Sequence, residues 1–268
     1  MKKIAYGMLA FLSLLAFELW GEVMSRDKIV FFDVGQGDSI FIESSSGHQI
    51  LIDGGPGSQV LQNLSRQLPF WDRSLDLIIL THPDYDHISG LIDVLKRYKV
   101  DSVLWNGVVR ETAEWDAWDE ELNGVERVAI AEAGQRVAWD GFSLEILHPF
   151  EIREGEVMTQ SNDSSIVALL TGGKRSILLT GDISGTVERD IALAYPDLRA
   201  DILKVAHHGS AFSSTPIFLR TVLPFLAVIE VGEGNSYGHP APPVLALFAQ
   251  YGIQVLRTDE EGDISLAL

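Results

Sequence analysis

The sequence predicts an α/β fold in which two mostly antiparallel sheets are covered by outer helices. Three observations point there. Short apolar runs alternate with stretches of 3.6-residue periodicity, Gly, Asp and Ser turns separate the first of those runs, and no linker is long enough to divide residues 26–268. With 268 residues, 46% of them hydrophobic, the chain can bury a core of domain size.

At the N-terminus, Lys2-Lys3 precede an apolar run at 4–17, the pattern of a secretory signal. That run is short for a full membrane span, and no small-x-small cleavage site follows it cleanly. Within residues 1–25 an uncleaved signal anchor is therefore favoured over a cleaved signal peptide. In both cases the lysines hold their end in the cytoplasm, so the remaining chain is expected outside it, membrane-anchored or secreted. The alternative is a buried first helix of the globular domain.

Residues 28–32, 39–43 and 49–52 read as a β-meander, 60–68 as a helix, 75–80 as a buried strand and 88–97 as a helix. Strand 102–105 follows. Segment 111–123 sets acidic residues beside Trp115 and Trp118 and reads as a solvated helix face with its Trp packed inward. Further strands are expected at 142–147, 165–170, 176–179, 201–205, 226–230, 254–256 and 264–266. Further helices are expected at 184–194, 216–222 and 244–251.

Directly after strand 75–80 stand His82-Pro83-Asp84-Tyr85-Asp86-His87, four metal-ligand side chains in six positions. Two His and two Asp, in a chain without Cys, favour a water-activating metal site over a closed structural one. Helix capping needs one such residue and leaves the other three unexplained. Asp182 and the pair His207-His208 each follow an apolar strand, where a rigid β-scaffold can aim them. Neighbours near a strand end point to opposite sides unless the chain turns, so one His of the pair is the better ligand. We assign His208 to that role and leave His207 to bind phosphate or donate a proton.

His239, after strand 226–230 and a glycine-rich turn, is expected as a further ligand or as general acid for a leaving oxygen. His207, His239 and Asp86 make up the expected catalytic group. The Gly35-Gln36-Gly37 turn can bring backbone N–H groups to an anion, with Asp33 and Asp38 accepting from ligating His side chains. An ordinary tight hairpin accounts for the same residues. His148 stands at a strand end, where it is either a source of one more imidazole or a turn residue; His48 reads as structural.

The spacing His82-x-Asp84-x-Asp86-His87 resembles the metallo-β-lactamase signature H-x-H-x-D-H, with Asp84 in place of the second His. That form is similar to the ComEC-like hydrolase domains of DNA uptake, and other motifs match in order. They are Phe31-Phe32-Asp33-Val34-Gly35-Gln36-Gly37-Asp38-Ser39, Leu51-Ile52-Asp53-Gly54-Gly55, Ser161-Asn162-Asp163-Ser164-Ser165 and Leu179-Thr180-Gly181-Asp182. Then come Val205-Ala206-His207-His208-Gly209-Ser210, Asn235-Ser236-Tyr237-Gly238-His239-Pro240 and Arg257-Thr258-Asp259-Glu260-Glu261-Gly262. The resemblance runs from about Lys28 to the C-terminus and implies a four-layer αββα metallo-β-lactamase sandwich. It also implies two divalent ions, with His82 and Asp84 serving the first, Asp86 and His87 the second, and Asp182 between them. Asp53 becomes a support of the site, and Asn162 stands where the wider superfamily has a His.

Carboxylate and amide in place of imidazole make the first site harder. The expected metal therefore shifts toward Mn²⁺, with Zn²⁺ or Mg²⁺ as alternatives, and β-lactam hydrolysis is disfavoured. A net charge of −18 argues against tight non-specific duplex binding, yet it leaves room for a nuclease whose substrate phosphate is held by metal. The implied activity is phosphodiester hydrolysis, with single-stranded DNA the favoured substrate. A single N-terminal span cannot conduct DNA, so the chain is expected to act alone or beside a separately encoded DNA channel. The rival readings are a phosphodiesterase for an envelope polymer or phosphocholine ester, and a non-catalytic binding module. The latter has no reason to gather so many charges.

Overall fold

Runs such as Ile29-Val30-Phe31-Phe32 and Leu77-Ile78-Ile79-Leu80 are apolar at every position, which suits sheets covered on both faces. In the computed structural model, which describes residues 27–268, two seven-stranded sheets provide that environment. The segment expected as a signal or anchor, 1–25, lies outside the described residues. Among the described residues, no helix is long and apolar enough to cross a membrane.

The first sheet uses β1 (Lys28–Phe31), β2 (Ile40–Glu43), β3 (Gln49–Ile52), β4 (Ser74–Leu80), β5 (Lys99–Trp105) and β6 (Arg127–Ile130). The second uses β7 (Arg136–Trp139), β8 (Phe142–His148), β9 (Val167–Gly172), β10 (Arg175–Leu179), β11 (Ile202–Lys204), β12 (Leu226–Ile229) and β13 (Gln254–Arg257). The last strand, β14 (Ile264–Ala267), returns to the first sheet beside β1. The orders are β14-β1-β2-β3-β4-β5-β6 and β13-β12-β11-β10-β9-β8-β7.

The expectation of mostly antiparallel sheets needs correction. From β14 to β3 and from β7 to β10 the pairing is antiparallel, but β3 to β6 and β10 to β13 are parallel. The cause is the connections: a helix lies between each pair of parallel neighbours, and such a crossover returns the chain in the same direction. Helices Gln59–Gln67, Tyr85–Leu95 and Ala113–Leu122 serve the first sheet, and Gly185–Ala194, Pro216–Val222 and Pro242–Tyr251 the second. In Ala113–Leu122, Thr112 caps the first turn through the Trp115 N–H, and Trp115 and Trp118 are buried.

Strand alternation divides the core into three apolar layers. Ile29, Phe31, Leu77, Ile79, Ile177 and Leu179 meet between the sheets. Val30, Phe32, Ile78 and Leu80 pack against Leu64, Ile88 and Leu91 of the first helix layer. Leu178, Leu203 and Ile229 pack against Ile191, Phe218 and Phe248 of the second. The parallel strands therefore end together at one rim, and the chemistry-bearing residues follow those ends: Asp53 after β3, His82 after β4, Asp182 after β10 and His208 after β11.

Candidate active site

Each His of the cluster is held from behind. His87, on the first turn of helix Tyr85–Leu95, donates from Nδ1 to Asp53 Oδ2 at 2.8 Å. Asp53 also accepts from the Thr81 N–H at 2.8 Å and its hydroxyl at 2.6 Å, so β3 fixes the start of the ligand loop. Gly54 and Gly90 make this possible, because a Cβ on either would strike the other's backbone or that of Leu91. His208 donates from Nδ1 to the Glu230 carbonyl at 2.8 Å. With Nδ1 used in this way, Nε2 is left to face the cleft.

The Nε2 atoms of His82, His87 and His208 and Oδ1 of Asp182 are all buried without a hydrogen-bond partner. Orphaned polar atoms carry a desolvation cost that a cation would relieve. Asp182 Oδ2 lies 3.4 Å from both His87 Nε2 and His208 Nε2, and Asp86 Oδ2 lies 3.4 Å from His208 Nε2. Among the described residues, His82 with His87 and Asp182, Asp86 with His87 and His208, and Asp38 with Asp182 and His208 are grouped closely enough to hold an ion. The donor set of imidazole and carboxylate fits a divalent transition metal.

The electrostatics follow from burial and these neighbours. Burial opposes charge on His208, but Asp182 and Asp86 outweigh it and push its pKa up to about 10. His87 is likewise raised well above the usual imidazole range, against burial, by Asp182 and Asp53. Burial and the adjacent His87 hold His82 down at about 4. Burial raises Asp182, but His208 and His87 more than reverse this and leave it well below the usual carboxylate range.

The residues expected from sequence divide into several groups. Asp86, His87, Asp182, His208 and His82 converge. His207 and His239 line the same cleft, of about 130 Å³, with Gln36, Asp84, Asn162 and Tyr237. Both His207 and His208 have left-handed backbone (φ 51° and 53°), so the chain turns there and both side chains reach the cleft. Asn162 Nδ2 lies 3.4 Å from His207 Nε2, and the His207 and His239 ring centres are 5.7 Å apart.

Asp38 is buried behind the cluster, 3.4 Å from His208 Nδ1. Gln36 accepts from the Gly232 N–H at 3.2 Å. Asp33 is a correction: instead of accepting from a ligating His, it accepts from the Gly35 N–H at 3.1 Å and so closes its own turn. Asp84, expected beside His82, is outside the ion-holding groups above and accepts from Arg110 and the Ser161 hydroxyl. His148 gives Nδ1 to the Ser165 carbonyl at 2.9 Å and also stays outside them. The cap of helix Gly185–Ala194 is Ser184, which leaves the Asp182 carboxylate to the cleft.

Several site residues escaped the sequence reading. Lys204 is fully buried, paired with Asp38 and 3.9 Å from Asp182 Oδ1. Glu230 is buried beside it and accepts from the Ser39 N–H at 2.9 Å. A charged residue inside or at the end of an apolar strand was the available signal for both. Arg110 and Ser161 had none. A larger cavity of about 380 Å³, lined from both sheets by Ile50, Leu77, Leu104, Val137 and Trp139, holds no convergent ligand atoms and lies away from this chemistry.

The profile of the Metallo-beta-lactamase superfamily matches residues 32–224. The chain is 33% identical over 263 residues to the ComE operon protein 3 of Bacillus subtilis (strain 168), covering 90% of this chain and 33% of that protein. It is 32% identical to the competence protein ComA of Neisseria gonorrhoeae, covering 73% of this chain and 26% of that one. It thus spans between about a quarter and a third of the length of these curated relatives. The metallo-beta-lactamase fold protein YhfI of Bacillus subtilis superposes with a TM-score of 0.57 at 13% identity, covering 89% of this chain and 99% of that one. The diiron β-hydroxylase CmlA of Streptomyces venezuelae superposes with a TM-score of 0.58 at 17% identity, covering 91% and 54%; both share the fold alone. With that profile match over most of the chain and the ligand cluster at the rim of the paired sheets, the chain belongs to the metallo-beta-lactamase superfamily, with its metal-dependent hydrolase fold.

Proposed function

We propose that the chain is a metal-dependent phosphodiesterase that cuts single-stranded DNA. The observation that carries this reading is the close grouping of His82, His87, Asp182 and His208, each with a buried, unpartnered ligand atom. Asp86, His87, Asp182 and His208 would hold a divalent ion, Mn²⁺ favoured over Zn²⁺ or Mg²⁺, which supplies Lewis acidity for water activation and for the charge on phosphate. His207, on the cleft wall and outside the ion-holding groups, binds phosphate or gives a proton to the leaving oxygen. His239 stands beside it to assist. Asp53 and the Glu230 carbonyl keep the two ligating rings in the required tautomer.

Two features support a strand of nucleic acid as substrate. One of the named relatives is a competence protein, and Tyr237, with 71% of its surface exposed, lines the cleft, where a base can stack. A cleft of this size takes one phosphodiester link of an extended strand. The acidic chain, at −18, lacks the basic footprint of a duplex binder, so weak non-specific binding is expected. That same charge favours the second reading, a small phosphodiester or phosphocholine ester.

The test is the purified domain with Mn²⁺, assayed on single-stranded DNA, a chromogenic phosphodiester and a phosphocholine ester. The proposal expects DNA to be preferred, and Tyr237→Ala to raise KM for DNA by about 5- to 150-fold, the range for one stacked base, with a smaller effect on the small diester through the His239 ring that Tyr237 stacks against. Preference for the small esters, with no effect of Tyr237→Ala, supports the second reading instead. We further propose that the domain works outside the cytoplasm, tethered or secreted through residues 1–25 and alone or beside a separately encoded DNA channel. Fractionation of cells that make the full chain checks the location.

A further inference from the structure

We propose that the end of the molecule opposite the cleft is a membrane-resting face, where Phe70 and Trp71 enter the interface of a zwitterionic lipid bilayer. The inference rests on the tether proposed for residues 1–25 and adds the orientation that the tethered domain takes.

Strand direction fixes where this face lies. The parallel strands of both sheets run toward the rim that carries Asp53, His82, Asp182 and His208, so the loops that precede those strands gather at the opposite end. The loop before β4 holds Phe70 and Trp71, which are 83% and 73% exposed and pack edge to face with ring centres 4.8 Å apart. Large aromatic rings left this open side by side mark an interaction surface rather than a core. The loop before β12 adds Leu223 and Phe225, both exposed.

The described residues begin at the same end. Asp27 accepts through Oδ1 from the Ser45 N–H at 2.7 Å, and Lys28 donates from Nζ to Gln67 Oε1 at 3.1 Å, three residues before Phe70. Residues 1–26 therefore join the domain beside the aromatic pair, and their sequence carries the apolar run 4–17. Between that run and Asp27, residues 18–26 reach at most about 30 Å when fully extended. A membrane segment formed by 4–17 thus holds this end of the domain against the bilayer.

The chemistry of the face suits a lipid interface. Trp has an apolar body and a polar N–H, and it sits at the headgroup level where one part is dry and the other wet. The acids beside the pair are engaged within the protein: Asp72 accepts from Gln49 Nε2 at 2.8 Å and from the Ser74 hydroxyl at 2.7 Å, and Asp76 accepts from the Gln49 N–H at 2.7 Å. A chain of net charge −18 gains nothing from anionic lipid, so apolar burial in a zwitterionic surface is what remains to drive the contact. Seven-residue β4 separates the aromatic loop from His82 by roughly 20 Å. The cleft then opens away from the bilayer, toward a strand in the aqueous phase and out of reach of headgroups in that same membrane.

The chain has no Cys, so Phe70→Cys and Trp71→Cys each accept a single environment-sensitive nitrobenzoxadiazole label. Phe212→Cys, at an exposed position just after the His207-His208 turn, is the control at the catalytic end. Full-length labelled chains are reconstituted in phosphatidylcholine vesicles, sedimented, and read with and without lipid that carries a nitroxide near its headgroup. Circular dichroism confirms folding, and should one of the two loop variants not fold, the other carries the measurement. The expected result is blue-shifted emission from positions 70 and 71, most of it lost to the nitroxide lipid, with emission from position 212 unshifted and retained. Chains that sediment with the vesicles while positions 70 and 71 behave like 212 would overturn the proposal. So would a blue shift without quenching by the lipid, which would mean that residues 1–26 cover the aromatic pair themselves. Chains that stay in the supernatant defeat the tether reading, and the proposal with it, which keeps the two failures distinct.

Discussion

One short segment, residues 81–87, running from the loop after β4 into the first turn of helix Tyr85–Leu95, supplies both sides of the cleft, and the two sides are finished differently. On one, Asp86 and His87 meet Asp182 and His208 from the opposite sheet, and each imidazole Nδ1 is engaged from behind. On the other, Asp84 is bonded to Arg110 and Ser161, and Asn162 turns to His207. The residue types and spacing are equally ligand-like on both sides. What separates them is burial: His87, Asp182 and His208 present buried donor atoms with no partner, whereas the Asp84 carboxylate is a quarter exposed and bonded through one oxygen to Arg110 and Ser161. Ligand spacing nominates a residue, and burial without a partner is the cost that an ion relieves.

The strongest way to break this comparison is Asp182→Asn, which removes the carboxylate facing both ligating rings. Metal affinity should fall by more than about 100-fold, the upper end for residues merely adjacent to a ligand, and turnover should fall with it. His208→Ala should likewise lose metal and rate together. His207→Ala should keep its metal and lose about 10²–10⁴-fold in single-turnover rate, the span for a general acid or base. Metal content and rate measured on all three variants decide the matter. Metal lost from His207→Ala but kept in His208→Ala reverses their roles.

Lys204→Met asks what supports the ion-facing side from below. It leaves Asp38 buried without its cation, so the fold should lose about 3–5 kcal/mol in denaturant unfolding. A loss below about 1 kcal/mol would mean that Lys204 is not holding this layer. A smaller effect is expected from Asp53→Ala, which removes the acceptor behind His87. Metal affinity should drop about 10- to 100-fold with the fold retained, measured by competition with a chelating dye.

The finest probe is pH. In the metal-free chain, Asp182 and Asp86 raise His208 to about 10 against burial, and His87 is raised as well, so both carry a proton at neutral pH. An entering ion must displace those protons. Apparent affinity should therefore fall as pH drops from about 10 toward neutrality, with protons released on binding. Calorimetry in buffers of different ionisation heat measures that release, and proton-independent binding contradicts the raised imidazoles.

Much of this is legible in the sequence. The ligand residues after 75–80, Asp182 after its strand and the His207-His208 pair follow from motif and periodicity, but the left-handed turn at that pair brings both rings to the cleft, where strand alternation favours one. Other features were hidden for physical reasons. Strands β6 and β7 escaped because most of Arg127–Ile130 and Arg136–Trp139 is exposed or half-buried, so no apolar alternation marks them. Apolar runs alone do not carry strand direction; the parallel halves follow from the helical crossovers between β3 and β6 and between β10 and β13. Lys204 sits within an apolar run and reads as strand, and its partner Asp38 is 166 residues away. Arg110 finds Asp84 only through the topology that joins β5 to the ligand loop.

The central claim, that this cluster performs metal-dependent phosphodiester hydrolysis, is tested most directly by cleavage of single-stranded DNA across a Mn²⁺ titration, with bound ion counted in the same samples. Rate should rise in step with occupancy, vanish in excess chelator and return when Mn²⁺ is restored. Full cleavage in excess chelator, or full occupancy without cleavage of any phosphodiester, would contradict it.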